Sequence, residues 1–273
     1  MQPPLVIERA SPSRGTIVLV HGLGEHSGRY AHVVSALHDD GWTVVTYDQR
    51  GHGIDDGARG ALPSADSPYE DLAFVIDTAV RETTPARLLL FGHSMGGAFA
   101  ARYVAEALES RPASWSRPVD GLILTSPALA IFMKPIDRVA LKVLHWLAPH
   151  LPRRNGLDAT RISHDPEVVA AYRADPLVHD RVTPRLVQVI LDAGRIVLER
   201  APRWRVPTLL LYAGDDHLVD ARGSASFAAA APRTVVEAQA FPALYHEILN
   251  ETQPERGEVF TRIHEWLSFF AAR

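Results

Sequence analysis

The chain contains no cysteine, no long hydrophobic run and no strong excess of one charge. The lack of cysteine among 273 residues excludes disulfides, thiolate metal sites and a cysteine nucleophile. No window approaches the ~20 consecutive apolar residues of a membrane-spanning helix. The 28 basic and 32 acidic residues give a formal charge of −4, which is too balanced to suggest a nucleic-acid partner.

Two further absences concern targeting and metal binding. The first residues lack the basic stretch and apolar segment that are typical of a signal peptide, so we expect a cytoplasmic location. The 13 histidines are scattered, without the His-x-x-x-His or Glu-x-x-His spacing that places two ligands on one helix face. The sequence therefore predicts no metal site.

Short apolar runs alternate with segments of helical periodicity, an order that is typical of a parallel sheet covered on both faces. At 47% hydrophobic residues, the chain can bury the core of one domain with an insertion. The predicted strands are residues 16–20, 43–47, 88–91, 121–125, 208–212 and, from a weaker pattern, 235–238. The predicted packing helices are residues 30–40, 70–81 and 258–270.

Residues 128–207 interrupt this alternation. They put nearly eighty residues between two strands that need only a short crossover. The segment is rich in apolar and helical pieces, and we interpret it as a helical insertion over the C-terminal edge of the sheet. We therefore expect a core of residues 1–127 and 208–273 and a cap segment of residues 128–207.

The pentapeptide Gly92–Gly96, with Ser94 at its centre, lies between a predicted strand and a helix-like run. Gly-x-Ser-x-Gly in that context is the pattern of a nucleophile elbow, a sharp turn that presents its serine at the end of a sheet. The glycines allow a turn too tight for side chains on either side. Ser94 is therefore the predicted nucleophile.

A serine nucleophile needs a base and a carboxylate that orients the base, here expected in the chain order Ser, acid, His. The residues in suitable positions are Asp215, Asp216 and Asp220 for the acid, and His217, His246 and His264 for the base. His217 adjoins the acid and His264 lies in a predicted helix, so we choose His246. Asp216 is preferred because Asp215 could brace the turn after Gly214 and Asp220 could cap a helix.

Acyl transfer also needs N–H donors for the negative oxygen that develops during attack. We expect one from Met95, directly after the nucleophile, and one from Leu23, in the loop after an early strand. Gly22 and Gly24 flank Leu23 and would let the backbone approach a substrate closely.

Several stretches together resemble the monoacylglycerol lipases and lysophospholipase-like proteins of the α/β-hydrolase fold. They are residues 21–30, 48–53, 92–97, 216–220 and 245–247. The resemblance implies a mostly parallel central sheet flanked by helices, with a helical cap. It also implies ester hydrolysis through an acyl-enzyme on Ser94, with Asp216 and His246 as partners and no cofactor.

In that group the cap forms an apolar tunnel for an acyl chain. The resemblance therefore implies a lipid-like ester as substrate and substrate contacts from Ile131, Val143, Leu144 and Leu147. It also implies transient contact of the cap with a membrane surface, which would make the protein peripheral to a membrane. Chain length, head group and oligomeric state are not determined by these residues.

The chain departs from the pattern of the group at two places. Residues 54–57, Ile-Asp-Asp-Gly, stand where the group usually has a serine, and only 20 residues precede His21. We therefore expect the N-terminal strands to be reduced to one, near residues 5–8. The alternatives that stay open are a short-chain carboxylesterase, a lysophospholipase, a peptidase-type member and a non-catalytic binding protein on the same fold.

Overall fold

The computed structural model describes residues 3–271, and a seven-stranded sheet runs through its centre. The strands of the described residues are β1 (Leu5–Glu8), β2 (Thr16–Val20), β3 (Thr43–Tyr47), β4 (Leu88–His93), β5 (Gly121–Thr125), β6 (Arg153–Arg154), β7 (Arg181–Val182), β8 (Thr208–Ala213) and β9 (Val236–Phe241). The central sheet has the strand order β1-β3-β2-β4-β5-β8-β9, in which β1 pairs antiparallel with β3 and the remaining pairs are parallel. This is the mostly parallel sheet that the sequence predicted, with the expected single N-terminal strand.

Helices cover both faces of the sheet. The α-helices are α1 (Ala31–Asp39), α2 (Ser67–Thr83), α3 (Ser94–Glu106), α4 (Pro135–Leu147), α5 (Pro166–Ala174), α6 (Pro184–Arg200), α7 (Arg222–Ala230) and α8 (Glu255–Ala271). Short 3-10 turns occur at Ser27–Tyr30, Ala159–Arg161, Ala201–Arg203 and Ile248–Asn250. Buried residues of α2, α3 and α7 share one apolar core with the sheet, and those of α1 and α8 share the other.

The edge strand β9 differs most from its predicted bounds, 235–238. Its two ends, Val236 and Phe241, are buried, whereas the four residues between them are exposed or half-buried. A search for continuous apolar runs finds central strands that are buried on both faces, and it finds only part of an edge strand.

The cap segment lies between β5 and β8 and contains α4, α5, α6 and the short antiparallel pair β6–β7. Helix α6 packs on α3 of the core, and α4 packs on α6. Polar contacts add to this packing: His26 lies 2.9 Å from Asp175, and the buried Glu251 accepts a hydrogen bond from the backbone N–H of His164. Residues 1, 2, 272 and 273 of the predicted core fall outside the described residues.

Two absences hold for residues 3–271. In this range no helix is both long and apolar enough to span a bilayer. The same range holds no cluster of three or more His, Asp or Glu side chains arranged to bind a metal.

A glycine in α6 tests the packing of the cap segment. Alanine favours a helix over glycine by ~1 kcal/mol, but a Cβ at Gly194 would lie 2.2 Å from the carbonyl oxygen of Leu129. We expect Gly194→Ala to lower the free energy of unfolding by about 1–3 kcal/mol, because overpacking outweighs the gain in propensity. Urea denaturation measures the difference.

Gly257→Ala in α8 is the matched control, because its Cβ would meet the flexible end of the Gln253 side chain at 3.0 Å. We expect it to be neutral or stabilising. Equal stability of the two variants would contradict the close packing of α6.

Candidate active site

The turn between β4 and α3 holds Ser94 in a conformation that residues other than glycine rarely adopt, with φ at +53°. Gly92 and Gly96 are required in this turn because the backbone of neighbouring segments approaches both positions closely. A Cβ at Gly92 would lie 2.7 Å from the carbonyl oxygen of Gly96, and a Cβ at Gly96 would lie 2.2 Å from that of Val20. The turn therefore presents Ser94 at the carboxyl edge of the sheet and at the N-terminus of α3.

Ser94, His246 and Asp216 form a continuous chain of hydrogen bonds. The hydroxyl of Ser94 lies 2.8 Å from His246 Nε2, and His246 Nδ1 lies 2.6 Å from Asp216 Oδ2. Asp216 follows β8 and His246 follows β9, so the ends of neighbouring parallel strands bring the groups together. The structure thus brings together the three side chains chosen from the sequence.

Asp216 also braces its own turn. Its Oδ1 accepts hydrogen bonds from the backbone N–H groups of Leu218 and Val219, which leaves Oδ2 for His246. The other candidates are engaged elsewhere, in the pairs Asp215–His217, Asp220–Arg222 and His264–Asp40. The bracing role considered for Asp215 is therefore performed by Asp216.

The charge of Asp216 stabilises the protonated form of His246. Burial alone would lower the pKa of His246, but the charge of Asp216 and its hydrogen bond outweigh burial and raise the pKa above its usual 6.5. Burial opposes ionisation of Asp216 too, yet the imidazole and the two backbone N–H groups hold the pKa of the carboxyl below its usual value. With Asp216 ionised and Nδ1–H donating to it, the Nε2 lone pair accepts the hydroxyl proton of Ser94.

A second imidazole, His93, lies beside His246 at a ring separation of 4.9 Å. Burial and the proximity of His246 lower the pKa of His93 to about 4, so it stays neutral near pH 7. Its Nδ1 lies 3.0 Å from the hydroxyl oxygen of Thr125. His93 is thus a neutral packing partner in this arrangement.

A cavity of about 630 Å³ opens onto Ser94 and His246, and Gly22, Leu23 and Met95 line it. Met95 is in the first turn of α3, where backbone N–H groups have no carbonyl partner within the helix. The backbone N–H of Gly22, the residue before Leu23, donates a hydrogen bond to Glu25 Oε1 at 2.6 Å.

The predicted substrate-contact residues divide into two sets. Ile131 and Leu144 line the cavity. Val143 and Leu147 are 50% and 64% exposed on the outer side of α4, and they do not belong to the lining of this cavity. Val143 is rotated by about 100° from Leu144 around the helix, and apolar residues on the two sides look alike in sequence.

Gly24, a further predicted substrate contact, also does not belong to the lining of this cavity. Its φ is +78°, and a Cβ there would lie 2.4 Å from the carbonyl oxygen of His179 in the cap segment. Its own carbonyl accepts a hydrogen bond from the backbone N–H of His179 at 2.8 Å. Gly24 therefore allows the cap segment, rather than a substrate, to approach.

Sequence reasoning missed Arg29 and the role of Glu247. Arg29 donates hydrogen bonds to both Glu25 and Glu247, and both carboxylates are buried beside the cavity. One local signal existed, the Glu25–Arg29 spacing of four residues. Their contact with Glu247, from the far end of the chain, required the fold.

Comparisons with known proteins agree with this architecture. A family model described as serine aminopeptidase, S33, matches residues 11–253. A monoacylglycerol lipase from Mycolicibacterium smegmatis is 34% identical over 261 residues, which are 93% of this chain and 88% of that protein. An abhydrolase domain-containing protein of Dictyostelium discoideum is 35% identical over 255 residues, 92% of this chain, but the chain covers only 26% of it.

A solved structure gives the same result in three dimensions. The crystal structure of the Paleococcus ferrophilus monoacylglycerol lipase superposes with a TM-score of 0.86 at 32% identity, covering 99% of this chain and all of that one. The match extends through the core and the cap segment. The chain therefore belongs to the S33 serine aminopeptidase family of the α/β-hydrolase fold, as a monoacylglycerol lipase-like carboxylic ester hydrolase.

Proposed function

We propose that the protein hydrolyses monoacylglycerols, with Ser94 as nucleophile, His246 as general base and Asp216 as the group that orients it. The observation that carries the proposal is the hydrogen-bonded chain of these residues at the floor of an apolar cavity. The similarity to monoacylglycerol lipases over nearly the whole chain supports the substrate class.

The reaction follows from the geometry in two halves. His246 Nε2 takes the proton of Ser94 as its oxygen attacks the ester carbonyl, and the N–H groups of Leu23 and Met95 hold the developing oxyanion. One such donor is typically worth about 10²–10³ in kcat. His246 then gives the proton to the leaving alcohol, and an acyl-enzyme remains. Water, deprotonated by His246, releases the fatty acid and restores Ser94.

The two acids beside His246 are engaged with one arginine. Glu25 and Glu247, two of the acids that line the cavity, both accept hydrogen bonds from Arg29. A free amino terminus or a choline group would therefore have to compete with this guanidinium for the two carboxylates. A glycerol ester needs only hydrogen bonds there, which separates this proposal from the aminopeptidase and lysophosphatidylcholine alternatives.

The acyl chain fits the apolar lining contributed by the cap segment. We propose that residues 128–207 act as a cap that roofs Ser94, with Ile131 and Leu144 in contact with the chain. Burying each methylene of the chain is worth ~0.8 kcal/mol. The cap therefore supplies binding energy that grows with chain length.

A substrate panel tests the function. We expect kcat/KM to be at least about 10-fold higher for a long-chain monoacylglycerol than for a short ester, since a few extra buried methylenes contribute that much. We also expect it to exceed the kcat/KM for an amino-acid anilide or lysophosphatidylcholine, whose cationic groups would have to compete with Arg29 for Glu25 and Glu247. Ser94→Ala is the control, and it should lose about 10³-fold or more in kcat and all labelling by a fluorophosphonate probe. Faster anilide hydrolysis would favour the peptidase alternative, and failure of the wild type to react with the probe would favour a non-catalytic binding protein.

The pH profile tests the role of Asp216. His246 must be neutral to accept the serine proton, so kcat/KM falls as the pH drops through the pKa of His246, which lies above 6.5 in the wild type. In Asp216→Asn the largest charge that raises the pKa of His246 is gone and burial still lowers that pKa, so we expect the acid limb to shift to lower pH. The plateau value of kcat/KM should fall by a factor of about 10⁴.

Asp215→Asn is the matched control, because Asp215 pairs with His217 instead. Its profile should coincide with that of the wild type. An unshifted acid limb in Asp216→Asn would contradict the assigned pairing.

The outer face of α4 supports a further proposal, that the cap segment docks on a lipid surface with anionic head groups. Ile136, Val139 and Trp146 are 70%, 59% and 81% exposed on this face. The exposed bases Arg138 and Lys142 lie four residues apart, which places them along one side of the helix, and the exposed Lys134 directly precedes its first residue. An apolar face flanked by basic residues is typical of helices that lie in the membrane interface.

Vesicle co-sedimentation tests this surface. Each basic side chain near an anionic membrane contributes about 1 kcal/mol, so replacing all three with Gln should weaken binding to anionic vesicles about 100-fold. The control replaces three exposed bases of the core with Gln: Arg14, Arg81 and Arg233. Equal binding of both variants, or a dimer in sedimentation velocity that needs Trp146, would contradict the lipid surface as occupant.

A further inference from the structure

The protein buries an arginine and two glutamates that take no part in the chemistry proposed above. The side chain of Arg29 is only 10% exposed, and the side chains of Glu25 and Glu247 are 4% and 6% exposed. Arg29 Nη1 lies 2.6 Å from Glu25 Oε2, and its two terminal nitrogens each lie 2.8 Å from an oxygen of Glu247. Buried charges are costly to desolvate, so a retained group of three needs a physical reason.

The two carboxylates connect Arg29 to the two loops of the proposed reaction centre, the one with Leu23 and the one with His246. Glu25 Oε1 accepts from the N–H of Gly22 at 2.6 Å, and Gly22 directly precedes Leu23, the proposed oxyanion donor. Glu247 directly follows His246, the proposed base. Arg29 thus joins two loops whose contacting residues are 218 positions apart in the chain.

The cap segment completes the arrangement. Tyr172, on α5, lies over the guanidinium of Arg29 at 4.7 Å from the ring centroid, and it also lines the cavity. A guanidinium on an aromatic face is attracted by the ring quadrupole. The position of α5 is therefore coupled to the same arginine.

We propose that Arg29 is a positioning residue, which holds the backbone donor of Leu23 and the imidazole of His246 at one fixed separation and couples both to the cap segment through Tyr172. The proposal rests on the roles assigned to Leu23 and His246 above. Misplacing a reacting group by about 1 Å can cost 10²-fold in rate. Arg29 contributes by preventing such displacement, without touching the substrate.

Charge gives Arg29 a second, separable effect. His246 is surrounded by Asp216, Glu25, Glu247 and the neutral His93, and Glu247 and Glu25 both raise its pKa. The single positive charge of Arg29 offsets one of the two negative charges of these glutamates. A neutral residue at this position would leave them uncompensated, so His246 would keep its proton to higher pH.

Two variants separate geometry from charge. We expect Arg29→Met to lower kcat about 100-fold, with KM changed far less, and to move the acid limb of the pH profile to higher pH. Arg29→Lys keeps the positive charge but loses the planar guanidinium with its paired donors. We therefore expect its acid limb to lie at the pH of the wild-type limb and its kcat to fall about 10-fold. Tyr172→Leu should lower kcat less than either and leave the limb in place.

Arg117→Met is the matched control, because Arg117 makes a paired contact to Asp77 on the surface, away from the cavity. It should retain the kcat and pH profile of the wild type. Circular dichroism and the unfolding midpoint give the folded fraction, by which each kcat is divided. If Arg29→Met does not fold, the Arg29→Lys and Tyr172→Leu values decide.

Two results would overturn the role of Arg29. One is a kcat per folded molecule within about 2-fold of the wild type in Arg29→Met, where about 10²-fold is expected, or in Arg29→Lys, where about 10-fold is expected. The other is an acid limb that does not move in Arg29→Met. Reaction with a fluorophosphonate probe keeps the inferences apart: an unreactive wild type contradicts the proposed function, whereas equal labelling rates for wild type and Arg29→Met contradict the positioning role alone.

Discussion

The strained turn at Ser94 is the constraint around which the rest of the molecule is organised. Its positive φ, and the contact of the Gly96 backbone with the carbonyl of Val20, are held by the strands on either side of β4. Such strain costs about 1–3 kcal/mol and persists only when the surroundings impose it. The parallel sheet imposes it here, and the ends of β8 and β9 bring Asp216 and His246 to the same edge.

Burial and charge act against each other throughout the site. Desolvation disfavours the ionised forms of Asp216 and His246, and their mutual contact reverses this for both groups. The same balance recurs one layer further out, where Arg29 pairs with both Glu25 and Glu247. Buried paired charges resist displacement because breaking one contact leaves an uncompensated charge. Such resistance would suit the proposed centre, in which a nucleophile, a base and two backbone donors have to be aligned.

The parts of the molecule that follow from local patterns were predictable from the sequence. Central strands such as β2 and β4 are continuous apolar runs, and the elbow glycines mark Ser94. Prediction failed where a residue depends on distant neighbours. Val143 and Leu144 are equally apolar, and only the packing of α4 decides which one lines the cavity. In the sequence, Arg29 is recognisable only as a partner of Glu25 at a spacing of four residues, whereas its contact with Glu247 exists only in the folded chain.

The most direct test of the central claim is a crystal structure of the protein after reaction with a long-chain alkyl phosphonate. The account predicts phosphorus bonded to Ser94 Oγ, a phosphonyl oxygen ~3 Å from the backbone nitrogens of Leu23 and Met95, and the alkyl chain beside Ile131 and Leu144. Attachment at another residue would contradict the account. So would a phosphonyl oxygen that points away from Leu23 and Met95.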